Sequence, residues 1–125
     1  MSDSLADYRA TMKKREARAR REQEERREQA RATAWHVARY LRDTYGVSCV
    51  VLFGSMAQEV PLSRHSDLDL AVWGLDAEDY FEAVGRMQGE GTPFSVDLVR
   101  MEQAPDSLCA VVQEEGRELL VHESR

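Results

Sequence analysis

A run of nineteen residues near the N-terminus most restricts how this 125-residue chain can fold. Residues 13–31 contain no Gly, no Pro, no β-branched residue and no large apolar side chain, so they have almost nothing to bury. Several pairs of opposite charge stand four positions apart, as in Glu16/Arg20 and Arg21/Glu25. Strong helix formers with such pairs predict a solvent-exposed helix, and the lack of an apolar heptad argues against a long coiled coil.

Charge divides the chain at about residue 31. Residues 13–31 carry nine basic and five acidic residues, a net charge of +4, whereas residues 32–125 carry −9 and the whole chain −6. One domain is the default at this length. We therefore expect a charged helical extension, residues 1–31, and a single domain, residues 32–125. The extension could be a solvated helix, an arm that binds a partner or RNA, or a contact for self-association.

Composition excludes several classes of protein. The negative net charge argues against a general nucleic-acid binder. Cys49 and Cys109 are sixty positions apart and form neither a disulfide framework nor a zinc pattern. No apolar stretch approaches the length of a membrane span, and Met1 leads into polar sequence with no signal peptide. The expectation is a small cytoplasmic protein.

Apolar periodicity predicts the elements that follow the charged helix. The stripe Trp35, Ala38, Leu41 and Tyr45 extends that helix as a core helix, which Gly46 ends. Two further helices and four short strands are expected: strands at residues 49–53, 67–73, 94–99 and 118–122, and helices at 76–87 and 105–115.

These elements alternate along the chain. The first of the two later helices has the stripe Tyr80, Phe81, Val84 and Met87, and the second has Leu108, Val111 and Val112. Strands that alternate with helices indicate an α/β fold, here a small mixed sheet with helices behind a long charged N-terminal helix.

Three acidic residues stand in or beside predicted strands. Asp67 and Asp69 are two positions apart, so their side chains project to the same face of a strand. Asp97 lies in the middle of another apolar strand, where an acid is costly unless it is paired or ligates a metal. Carboxylates that converge on one sheet edge suit Mg²⁺ and a phosphoryl-transfer site.

A glycine and a serine follow the first predicted strand. Gly54 allows a sharp turn and a close approach to a ligand, and Ser55 can cap a following helix whose N–H groups would bind a triphosphate.

The stretch VLFGSMAQEVPLSRHSDLDLAVWG, with VDLV downstream, resembles the minimal nucleotidyltransferases of the DNA polymerase beta superfamily. The resemblance covers roughly residues 47–121 and implies a nucleotidyltransferase palm that transfers a nucleoside monophosphate, AMP from ATP, to a hydroxyl with Mg²⁺. It implies that Asp67, Asp69 and Asp97 are metal ligands, Asp97 also activating the acceptor, and that Gly54, Ser55 and Ser66 bind the nucleotide. Many such chains are antitoxins that adenylylate a HEPN-type toxin, so a protein partner is expected.

The sequence also departs from the family pattern. Gln58 and Glu59 stand where family members often have Arg and Gly, and Arg64 or His65 could supply the missing positive charge. Two alternatives therefore stay open: a catalytically degenerate binding module, and a nucleotidyltransferase that modifies a small molecule such as an antibiotic.

Overall fold

A single long helix forms the N-terminal third of the protein. The computed structural model describes residues 2–57, 67–89 and 94–121, and its first element, α1, is a 44-residue helix at Ser2–Tyr45. The helix passes through residue 31 without a break, as predicted, and it ends at Gly46, which has a φ of 72°. The Gly46 N–H donates to the Arg42 carbonyl at 2.9 Å. The division into domains at residue 31 stays a prediction, because no helix end marks it.

The remaining elements build one four-stranded sheet with helices. In chain order they are β1 (Cys49–Phe53), a 3-10 turn (Gly54–Ala57), β2 (Leu68–Trp73), α2 (Ala77–Gly89), β3 (Val96–Arg100), a second 3-10 turn (Met101–Gln103), α3 (Asp106–Glu115) and β4 (Arg117–Val121). The strands lie in the order β3-β2-β1-β4. Strands β2 and β3 are parallel, and β1 is antiparallel to both β2 and β4. The predicted α/β class with a mixed sheet is confirmed, and each predicted strand or helix ends within two residues of its expected position.

Two apolar clusters cover the two faces of the sheet. On one face, Leu52, Leu70 and Leu98 pack with residues of α1 and α2. On the other face, Val51 and Ala71 pack with residues of α3 and with Met101. Strand residues alternate between the two clusters, as the period of a β-strand requires. The helices therefore form a layer on each side of the sheet.

The free edge of β3 is partly closed by side chains of α2. The Tyr80 hydroxyl donates to the Leu98 carbonyl at 2.9 Å, and the Gln88 amide donates to the Val96 carbonyl at 2.9 Å. Both acceptors point away from β2, so they would otherwise be open to a further strand. This edge is therefore protected against pairing with another chain.

The predicted apolar stripes are partly wrong. Trp35 is 45% exposed, and α1 instead buries a face of mainly small residues: Ala30, Ala34, Val37, Ala38 and Leu41. Alanines allow the helix axis to approach the sheet closely, and Trp35 lies one position, about 100°, to the side of Ala34. Phe81 is 81% exposed for a related reason, because adjacent helical residues cannot share a face and its neighbour Tyr80 turns inward. Val111 is 38% exposed.

The charged part of α1 does not form the predicted ion pairs. The sequence offers five pairs of opposite charge at i,i+4, such as Glu16/Arg20, and in the described part of the chain none of these pairs comes within ion-pair distance. Arg42 Nε and Asp43 Oδ1, which are adjacent in sequence, do form an ion pair at 3.0 Å. Exposed ion pairs gain little, because holding two long side chains together costs side-chain entropy. The intrinsic helix propensity of residues 13–31 therefore accounts for their helical conformation.

Two other expectations concern bonding and membranes. Cys49 and Cys109 are both free cysteines, in agreement with the prediction that they form no disulfide. None of the helices in the described ranges combines the length and apolar character that crossing a bilayer needs.

Candidate active site

The end of β1 and the starts of β2, β3 and β4 lie at the same edge of the sheet, where these strands terminate. Because β1 is antiparallel to β2, the end of β1 lies beside the start of β2, and the parallel β3 starts at the same edge. The register places Phe53 opposite Asp69 and Asp69 beside Asp97. Asp67 directly precedes β2 and is exposed. The predicted acidic residues are thus brought to one edge, as the spacing of the motif indicates.

The acidic side chains belong to the face of the sheet that α3 covers. Leu68 and Leu70 are fully buried toward α1 and α2, so Asp69, between them, points to the opposite side. Asp69 is half-buried, whereas Asp97 is exposed. We call the sheet edge that carries Asp67, Asp69 and Asp97 the acidic edge. Asp69 lies at its inner side, and Asp67 and Asp97 lie at its solvent-exposed side.

The carboxyl group of Asp69 has a raised pKa. Burial, and then the negative charges of Asp97 and Asp67, raise the pKa of Asp69 from an ordinary value of 3.8 to about 6. Both causes disfavour the ionised carboxylate. A cation held by the same carboxylates would reverse the effect, so the site is poised to gain stability from positive charge.

Gly54 is the residue that the site geometry requires most strictly. It follows β1 with a φ of 81°, a conformation that side chains disfavour. A Cβ atom at this position would overlap Oδ2 of Asp69 and would lie 3.2 Å from its Cγ. Any other residue would therefore displace the central carboxylate. The sequence predicts a turn here, but the contact with Asp69 is visible only in the structure.

The Gly-Ser turn begins as a 3-10 turn, and the helix expected to follow it lies outside the described residues, so that helix stays a prediction. Residues 54–57 form a 3-10 turn, and Ser55 is its second residue. Arg117 of β4 donates from Nε to the Ala57 carbonyl at 2.8 Å and so holds the end of this turn. Sequence reasoning missed Arg117, because no motif surrounds it and its role depends on the pairing of β4 with β1.

Several predicted residues lie outside the described ranges. Ser66, predicted to bind nucleotide, is one of them, as are the two departures Gln58 and Glu59 and the compensating candidates Arg64 and His65. Their roles stay predictions.

The acidic edge fits a divalent cation in its donor chemistry. Carboxylate oxygens are the ligands that Mg²⁺ prefers, and their mutual repulsion at Asp69 is the cost that such an ion would remove. In residues 2–57, 67–89 and 94–121, no three acidic, histidine or cysteine side chains stand close enough to form a complete ligand set. The acids therefore fit the ion by type and by their place at one sheet edge, without an assembled cage.

Comparison with protein families gives one match. The family model for polymerase beta, nucleotidyltransferase, matches residues 36–125. The match begins within α1, so most of the charged helix lies before it. No curated protein matched the sequence.

Comparison with solved structures gives similar chains in toxin–antitoxin complexes. A crystal structure of a toxin–antitoxin with AMP-PNP contains a chain that is 28% identical, with a TM-score of 0.59 over 70% of this chain and 72% of that chain. A complex of tri-AMPylated Shewanella oneidensis HEPN toxin with MNT antitoxin gives 25% identity and a TM-score of 0.57 over 74% and 73%. The toxin–antitoxin MntA-HepT gives 25% identity and a TM-score of 0.56 over 73% and 72%.

Proposed function

This chain belongs to the polymerase beta family of nucleotidyltransferases, and we propose that it transfers AMP from ATP to a hydroxyl group of a HEPN-type partner protein. The observation that carries the proposal is the juxtaposition of Gly54, Asp69 and Asp97 at one sheet edge. The similarity to chains in complexes with an AMP-PNP ligand and with an AMPylated HEPN toxin supports both the nucleotide and the acceptor.

Asp67, Asp69 and Asp97 would hold Mg²⁺, which supplies positive charge to the phosphates and to the attacking oxygen. Because Gly54 has no side chain, the Asp69 carboxylate lies directly against the turn, and a triphosphate bound to the ion would meet the backbone of the turn there. Arg117 keeps the end of this turn in place through its bond to the Ala57 carbonyl. These residues bind and orient the nucleotide.

Asp97 is the residue best placed to act on the acceptor. It is exposed at the outer side of the acidic edge, and its carboxylate can take the proton of an incoming hydroxyl. The hydroxyl oxygen then bonds to the α-phosphorus of ATP, the bond from that phosphorus to the bridging oxygen breaks, and pyrophosphate leaves. The product is a phosphodiester between AMP and the partner protein.

A binding module without catalysis is the second candidate. It is favoured by the incomplete ligand set in the described residues and by the departures at Gln58 and Glu59. Such a module would bind nucleotide or partner but transfer nothing. A small-molecule acceptor, the remaining alternative, has no structural observation in its favour.

The test combines nucleotide binding with label transfer. The purified chain is mixed with Mg²⁺, ATP labelled at the α-phosphate and a HEPN-type protein from the same genome. We expect label on the partner with the wild type and with Asp106→Asn, an exposed control, but not with Asp69→Asn. Binding of ATP or of the partner without transfer would support the binding module, and the absence of ATP binding, partner binding and transfer would refute both candidates.

A further inference from the structure

The N-terminal half of α1 exposes large apolar side chains. Leu5 is 55% exposed, Tyr8 is 62% exposed and Met12 is 36% exposed. Their spacing of three and four positions puts them on one face of the helix. All of this half precedes the family match at residues 36–125, so it is an addition to the matched nucleotidyltransferase domain.

This exposed face continues the face that α1 buries against the sheet. Leu5 and Leu41 are thirty-six positions apart, about ten turns, so they point in the same direction. Met12 and Ala30 are eighteen positions apart, about five turns. Leu41 and Ala30 are buried at 0% and 1% exposure. The helix carries Met12 about 27 Å beyond Ala30, so the apolar face runs past the part that the sheet covers.

We propose that this face pairs with the same segment of a second copy of the chain, in antiparallel orientation and centred near residue 10. In this register Tyr8 of each copy packs against Met12 of the other. Leu5 packs against the aliphatic stem of Arg15 from the second copy, because an arginine can cover apolar surface while its charged group stays in water. The contact is self-complementary, as a two-fold dimer requires.

The charged residues beside this apolar face favour pairing with a second copy of the chain in the antiparallel orientation. The residues that pack between the two copies, which we call the seam, are Leu5, Tyr8, Met12 and Arg15. Arg9 and Glu16 each directly follow a seam residue, so they flank the seam on the same side. In this register the Arg9 side chain of one copy extends toward Glu16 of the other, and the two-fold axis repeats this contact.

The longer charge blocks favour the same orientation. Residues 13–18 contain four basic residues and one acidic residue, and antiparallel pairing about residue 10 lays them along residues 2–7 of the second copy, which contain two aspartates and no base. Parallel pairing would instead lay the two basic blocks side by side, where like charges repel. The antiparallel homodimer is therefore the arrangement that satisfies both the apolar face and the charges.

The test is a charge swap followed by sedimentation of the full-length chain. We expect a dimer whose dissociation constant rises at least about tenfold in Glu16→Arg and in Arg9→Glu, because each puts like charges face to face. The double variant Arg9→Glu with Glu16→Arg restores the opposite charges and should dimerise like the wild type. Glu24→Arg makes the same charge change on the same helix outside the seam and should leave the dimer intact.

Three results would overturn the proposal. The first is a wild type that is monomeric at all concentrations, including a chain that covers Leu5, Tyr8 and Met12 only within a complex with another protein. The second is a dimer that persists in Leu5→Glu with Met12→Glu, and the third is a double swap that does not restore pairing. Circular dichroism of each variant checks that α1 stays helical, since all substitutions fall on exposed positions.

Discussion

Replacing Asp69 by Asn should stabilise the protein at neutral pH when no metal is present. Burial and the neighbouring Asp97 and Asp67 raise the pKa of Asp69 to about 6, so the ionised carboxylate is unfavourable in the folded state. The raised pKa means that protonation favours folding below about pH 4, and that this contribution is lost as the pH rises through 6. Asn is neutral throughout and avoids the loss.

The size of the effect follows from the shift. A rise from 3.8 to about 6 corresponds to at most about 3 kcal/mol. Asp69 is only half-buried, so solvent screening reduces this to about 1–2 kcal/mol. For a domain of this size we expect the melting temperature of Asp69→Asn to exceed that of the wild type by roughly 5–10 °C at pH 7.5.

The assay is thermal unfolding in EDTA at pH 7.5 and at pH 4, with Asp106→Asn as a control for the loss of an exposed acid. The difference between Asp69→Asn and wild type should nearly vanish at pH 4. With excess Mg²⁺ and ATP the wild type should instead have the higher melting temperature. A hundredfold excess of ligand over its dissociation constant adds about 2.7 kcal/mol to the free energy of unfolding of the wild type and nothing to that of the variant. A pH-independent difference, or an equal ligand shift in the variant, would refute the account of the acidic edge.

Three further predictions use matched pairs of variants. Gly54→Ala should weaken ATP binding at least about tenfold, because its Cβ displaces the Asp69 carboxylate. Gly46→Ala, at a similar positive φ with open space around it, should lower only the free energy of unfolding, and equal ATP affinity in the two variants would place the nucleotide elsewhere. Arg117→Ala should raise the KM for ATP with little change in kcat, because it removes the hydrogen bond to the Ala57 carbonyl that holds the Gly-Ser turn. Arg100→Ala loses a similar hydrogen bond to the Leu75 carbonyl at the other end of the sheet and should not change the KM, so identical kinetics for the two variants would argue against a role for the Arg117 bond. Removing residues 1–22 should leave ATP binding unchanged and should lower the melting temperature only by the part that dimerisation contributes, which vanishes at low protein concentration. Removing residues 1–31 also removes the buried Ala30 and should lower the melting temperature at every concentration. Unfolding of the shorter truncation would show that the exposed half of α1 supports the domain.

The sequence predicted the order of elements and the acidic edge because these depend on local patterns. Asp67 and Asp69 are two positions apart in a strand whose alternate residues are apolar, and Asp97 interrupts another apolar run, so their faces follow from the period of a strand. Gly54 at the end of an apolar run indicates a turn for the same local reason.

The errors and omissions depend on contacts between distant residues. Trp35 fits an apolar period as well as Ala34 does, and only the close approach of α1 to the sheet decides that the alanine face is buried. The bond from Arg117 to Ala57 joins residues sixty positions apart through the pairing of β4 with β1, and the overlap between Gly54 and Asp69 depends on the register of β1 and β2. No single-sequence pattern encodes these distances.

The most direct test of AMP transfer at the acidic edge is to compare ATP labelled at its α-phosphate with ATP labelled at its γ-phosphate, in the presence of Mg²⁺ and a HEPN-type partner. The account predicts that the α-label becomes bound to the partner while the γ-label leaves in pyrophosphate, and that Asp69→Asn and Asp97→Asn abolish both events. Transfer of the γ-label to the partner, or undiminished transfer of the α-label by both variants, would contradict it.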